Sequence, residues 1–134
     1  SEDAHRSSVE FFEGIISTLA WVATIDAFQH WMYEKPGHSP EERRSAWIRL
    51  QQDFSAGVVD WSGLEDVRSY LWHRQLHIYQ YPFYYVEYGI AQLGALQVWA
   101  NWRRDRPAAL AGYKRGLALG GARPLPELFE AAGY

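Results

Sequence analysis

Apolar residues along the first third of the chain recur at helical intervals. Phe11, Phe12, Ile15, Ile16, Leu19, Val22 and Ala23 follow three- and four-residue spacing, which builds one face of a helix. Trp21, Ile25, Phe28 and Trp31 widen that arc beyond a single stripe. A helix apolar on more than one side is central and touched by several partners. Ser7 or Ser8 is placed to cap it, and Lys35-Pro36-Gly37 ends it near Glu34, since proline cannot continue the ladder and glycine relaxes the turn. Ser39-Pro40-Glu41-Glu42 then reads as a new start. Ser39 caps, Pro40 suits the first turn, and Glu42 reaches back in a capping box. This second helix is predicted to reach about Ser55, with Trp47, Leu50 and Phe54 turned inward.

A loop over 57–62 precedes a shorter predicted helix over 64–73, with Val67, Leu71 and Trp72 as candidates for burial. Residues 75–81 are the least regular part of the middle chain. Pro82 is predicted to open a long helix to about Arg104, carrying Phe83, Ile90, Leu93, Leu96, Val98, Trp99 and Trp102. Gly89 and Gly94 each weaken it by roughly 1 kcal/mol relative to alanine, and read as points where another backbone comes close. Asp105 is placed to cap a helix over 106–119 ended by Gly120-Gly121, and Pro126 to start a last one over 127–132. No alternating strand pattern and no fixed-period repeat appears. The expected fold is all-α, a single helical domain over 1–134.

Composition narrows the function classes. With 48% hydrophobic and 16% aromatic residues in 134 positions, a core is within reach and disorder is disfavoured. Formal net charge is -3 and the arginines are scattered among acidic residues, which argues against nucleic acid as a partner. There is no cysteine, which excludes a disulfide scaffold and a thiolate zinc site. The opening Ser-Glu-Asp-Ala-His-Arg is not a secretory pattern. The apolar-rich stretch 14–33 carries Asp26, Gln29 and His30, which are expensive in hydrocarbon, so it reads as a buried soluble helix and not a membrane span. The first residue is not Met, as expected of an internal piece of a longer protein or of a processed start.

The chemistry concentrates in His77-Ile78-Tyr79-Gln80-Tyr81-Pro82-Phe83-Tyr84-Tyr85-Val86-Glu87-Tyr88. A histidine stands just before a proline-started helix, and Tyr84, Tyr85 and Tyr88 fall within one predicted turn. Two readings stay open: aromatic helix residues whose hydroxyls reach water, or a surface that handles polar backbone. His73 and His77 are four apart, a spacing that can present two imidazoles on one helix face. A zinc-protease helix needs His-Glu-x-x-His, whereas here Arg74 stands where the glutamate base belongs. No metal ligand is expected in this chain. Asp26, Gln29 and His30 form either a buried network that sets helix register or a support behind a cleft wall. Glu87 either holds a phenol or a substrate amine, or is a surface carboxylate.

Several blocks in order carry a resemblance: Thr24-Ile-Asp-Ala-Phe-Gln-His-Trp-Met-Tyr33, His77-Ile, Pro82-Phe-Tyr-Tyr-Val-Glu-Tyr-Gly-Ile-Ala-Gln-Leu-Gly-Ala-Leu-Gln-Val-Trp99, Leu119-Gly-Gly and Pro124-Leu-Pro-Glu-Leu-Phe-Glu-Ala-Ala-Gly133. From about Ser8 to Gly133 the chain resembles the C-terminal part of oligoendopeptidase F, a branch of the thimet-type zinc metallopeptidases. The resemblance implies a mostly helical, cytoplasmic peptidase that cuts short peptides in a deep channel. It implies a partial catalytic domain whose His-Glu-x-x-His helix lies upstream and whose zinc is held there, with none bound by this chain. His77, Tyr85 and Tyr88 correspond to a family histidine and two phenols that face the scissile peptide. Their neighbours Tyr81, Tyr84 and Glu87 are expected to contact substrate. The His-to-Tyr interval is one residue shorter than in the more distant thimet-type relatives.

In such an enzyme a zinc-bound water attacks the peptide carbonyl, and donors steady the growing oxyanion. The chain alone is therefore expected to be inactive, with the missing N-terminal part of the same protein and short peptides as partners. Self-association through bare apolar faces is a further expectation. The rival reading is a stand-alone helical module whose aromatic groove binds a peptide or a small apolar ligand.

Overall fold

A computed structural model describes residues 2–134, apart from the side chain of Ala4. Among the described residues seven α-helices run in order: α1 Glu2–Glu34, α2 Pro40–Phe54, α3 Glu65–Ser69, α4 His77–Gln80, α5 Val86–Arg104, α6 Arg106–Ala118 and α7 Leu125–Ala132. A 3₁₀ turn, Leu71–Arg74, lies between α3 and α4. No strand occurs among the described residues. The fold class is all-α, and the chain divides into two compact units, one ending at Gly89 and one spanning Ile90–Tyr134.

The first unit is built on α1. It starts earlier than Ser7, with Glu2 and Asp3 in its first turn, where carboxylates suit the positive end of the helix dipole. Its C-terminal half supplies Ile25 and Phe28, both fully buried, to a core shared with Ala46, Trp47, Trp72 and Ile78. Phe28 meets Trp47 edge-on at 5.2 Å and Trp72 at 5.5 Å. The Trp47 indole N–H donates to the Arg68 carbonyl at 2.9 Å, which satisfies its one polar group inside the core. By length and composition α1 is apolar enough to cross a membrane. Its buried Ile25, Phe28 and Gln29 pack within the protein, while Val9, Phe11 and Ile16 on its N-terminal half are exposed.

The start of α2 follows the expected capping box: Glu42 N–H donates to the Ser39 hydroxyl, and Ser39 N–H donates to the Glu42 carboxylate. The Ser39 backbone N–H, and after it the Ser39 hydroxyl, hold the Glu42 carboxyl below its usual range. Trp47 is buried as predicted, but Phe54 is exposed at the helix end. The helix expected over 64–73 is broken at Tyr70, which adopts φ −114°, ψ 4°. The tighter 3₁₀ turn that follows swings Trp72 onto Phe28 and leaves Val67 in solvent.

In the second unit α6 packs on α7. Asp105 caps α6 by accepting from the Ala108 N–H at 3.0 Å. The expected close backbone approach occurs here and not along α5. A Cβ on Gly116 would lie 2.7 Å from the Ala132 Cβ, and one on Gly112 would run into the Ala132 carbonyl oxygen. Gly89 and Gly94 instead face side chains, Val22 at 3.1 Å and Tyr134 at 3.6 Å.

Candidate functional site

A reversal between α4 and α5 assembles the aromatic cluster. His77 is the first residue of α4, a single turn closed by Tyr81 N–H donating to the His77 carbonyl at 3.1 Å. The chain then turns back through Phe83, which holds φ 60°. That left-handed conformation is costly for a residue with a bulky side chain and persists only where surroundings enforce it. The enforcement comes from α1. Phe83 N–H donates to the buried Gln29 Oε1 at 3.2 Å, and its ring lies 4.9 Å from both His30 and Tyr33. Helix α5 therefore begins at Val86, not at Pro82. Tyr84 and Tyr85 belong to the turn, and the single helical turn expected for three phenols is not what gathers them.

They gather all the same. Around the His77 ring stand Tyr85 at 4.8 Å, Tyr88 at 5.7 Å, Tyr81 at 6.2 Å and Tyr84 at 6.4 Å. Tyr84 lies parallel to the imidazole within 5°, and Tyr88 stands perpendicular to it. The Tyr88 hydroxyl is 3.4 Å from His77 Nε2. That is long for a hydrogen bond, so either group can turn to a third atom. His77 and Tyr85 are half-buried, whereas Tyr81, Tyr84 and Tyr88 are exposed. Burial pushes the Tyr85 phenol above its usual range and Tyr88 adds to this, while the Trp21 indole N–H and Arg74 oppose it. At neutral pH Tyr85 is a protonated donor.

Glu87 stands apart. It is exposed, and among the described residues no side-chain hydrogen bond or ion pair ties it to the cluster. His30 and Asp26 sit 3.5 Å apart with His30 mostly exposed, so they form a surface pair rather than a buried network. Of that trio only Gln29 is fully buried, and it supports the turn.

Sequence reasoning missed Trp21 and Gln75. Trp21 N–H donates to Gln75 Oε1 at 3.1 Å, and the Gln75 amide nitrogen lies 2.6 Å from His77 Nδ1. No local signal marks this contact, because 54 positions separate Trp21 from Gln75.

Peptidase family M3 matches the chain over residues 1–134. The chain belongs to peptidase family M3. No curated protein and no solved structure gives a significant match. Membership of family M3 assigns a metallopeptidase type of function and accords with the all-α fold.

Family M3 is zinc-dependent in general. His73 packs against Trp72 at 3.9 Å and Tyr70 at 5.4 Å, while His77 is engaged by Gln75 and the phenols. No group of three or more His, Cys, Asp or Glu side chains converges among the described residues. A tetrahedral protein site takes three or four such ligands, so these residues do not fit zinc.

Proposed function

We propose that this chain supplies the carbonyl-facing wall of an oligoendopeptidase F-type metalloendopeptidase that cleaves short peptides. The observation that carries the reading is the half-buried His77 imidazole ringed by four phenols, three of them open to solvent. When water adds to a peptide carbonyl, negative charge grows on the oxygen. Neutral donors held where that charge develops lower the barrier, by about 3 kcal/mol each. Tyr88 and Tyr85 are such donors, and His77 is placed beside them to hold the substrate backbone or the tetrahedral intermediate. Tyr81 and Tyr84 offer exposed rings against which a peptide can lie. In this reading zinc and the general base belong to a His-Glu-x-x-His element outside these 134 residues, and the chain alone is inactive. A cytoplasmic location accompanies the oligoendopeptidase assignment.

The test is peptide hydrolysis by protein expressed from the full reading frame. Tyr85→Phe and Tyr88→Phe each lower kcat, by on the order of a hundredfold for the residue nearest the oxyanion, with little change in KM. Unchanged turnover in both variants would overturn the assignment.

A further inference from the structure

We infer that Gln75, aimed by Trp21, is a positioning residue that fixes His77 as the tautomer with its proton on Nε2. The inference builds on the reading that His77 faces the substrate. The donors and acceptors between Trp21 and His77 admit one arrangement. An indole N–H can only donate. The Gln75 atom 3.1 Å from Trp21 Nε1 must therefore be the carbonyl oxygen. That leaves the amide nitrogen, which only donates, facing His77 Nδ1 at 2.6 Å. Nδ1 must accept. A proton on Nδ1 would set donor against donor, and flipping the amide to relieve it would set NH₂ against the indole N–H. The neutral ring therefore carries its hydrogen on Nε2, the nitrogen beside the Tyr88 hydroxyl.

The consequence is directional. Nε2–H donates outward, toward Tyr88 or toward a carbonyl oxygen that takes its place. With Nε2–H as donor, the Tyr88 oxygen can accept from it and keep its own proton free for the substrate. Gln75 thereby converts an imidazole of either tautomer into a dedicated donor without touching the reacting atoms. Trp21 is itself held in place, with the Arg74 guanidinium 5.4 Å above its ring and Trp47 edge-on at 5.7 Å.

The test uses ¹⁵N-histidine-labelled protein from the full reading frame, with the His77 signals assigned by their loss in His77→Gln. In the wild type, the neutral ring should show a pyrrole-type Nε2 and a pyridine-type Nδ1 with no averaging between tautomers. Gln75→Glu places an acceptor beside Nδ1 and should invert that pattern, with about a tenfold fall in kcat/KM. Trp21→Phe frees the amide to flip and should give an averaged pattern; it reads the same arrangement from its other end should Gln75→Glu fail to fold. A wild-type ring protonated on Nδ1, or averaged, would overturn the inference. So would a pattern that ignores both substitutions. Activity separates this from the reading beneath it. Full turnover in His77→Gln, with a tautomer that still follows Gln75, sinks the catalytic role and leaves the positioning intact. Lost turnover with an indifferent tautomer does the reverse.

Discussion

Phe83 N–H donates to Gln29 Oε1 at 3.2 Å, across 54 positions of sequence. This bond ties the left-handed turn beneath the phenols to the C-terminal part of α1. Gln29 is fully buried, so removing its oxygen strands a backbone donor beside the core. Gln29→Leu should cost about 1–3 kcal/mol, read as a lower denaturant midpoint. It should also loosen the His77 cluster, seen as lost dispersion among its aromatic NMR signals. An unaltered midpoint would show that the turn stands without α1.

Tyr84 lies parallel to the His77 ring, so its ring and its hydroxyl can be separated by substitution. Tyr84→Phe keeps the ring, and peptide KM should stay within about twofold. Tyr84→Ala removes it, and KM should rise about fivefold, the worth of roughly 1 kcal/mol of aromatic contact. Equal effects from the two variants would place the action in the hydroxyl.

Burial raises the phenols of Tyr79 and Tyr85 above the ordinary value of 10.0. A raised folded-state value means the folded chain holds those protons more tightly than the unfolded chain. The corresponding stability is fully present below pH 10 and is lost as pH climbs through the folded-state values. Chemical denaturation between neutral and strongly alkaline pH should show that decline, and Tyr79→Phe with Tyr85→Phe should make it shallower, leaving the share of the Tyr134 phenol, which burial also raises. A double variant with the wild-type slope would place the pH dependence elsewhere.

Two glycines make a matched pair. Gly112→Ala drives a methyl into the Ala132 carbonyl where α6 meets α7, and should cost about 1–3 kcal/mol. Gly14→Ala, within α1, meets nothing within 4 Å and should stabilise by about 1 kcal/mol through helix propensity. Thermal melts read both.

Helices whose signals are local were legible. The Ser39 box, the Asp105 cap and the apolar spacing of α1 all sit within a few residues of what they control. The turn at 81–85 was not, because it has no glycine and its geometry is enforced by Gln29 from another helix. The break at Tyr70 was hidden for a similar reason: the 3₁₀ turn after it sets Trp72 against Phe28 of α1, a contact far away in sequence. The residues of the cluster could be named from the sequence, since they share one short run. What orients His77 could not, because Trp21 reaches Gln75 only once the chain has folded.

The left-handed kink at Phe83 also sets a rule for how this region can evolve. The imidazole and the last phenol are eleven positions apart, and their meeting depends on how many residues the kink absorbs. Inside α5 a single insertion or deletion would rotate the residues beyond it by about 100° and carry Tyr88 away from its partner, so a change of length has to be taken up in the irregular turn before Val86. Where related sequences differ in length here, the change is expected between Tyr81 and Tyr85 and not between Val86 and Tyr88.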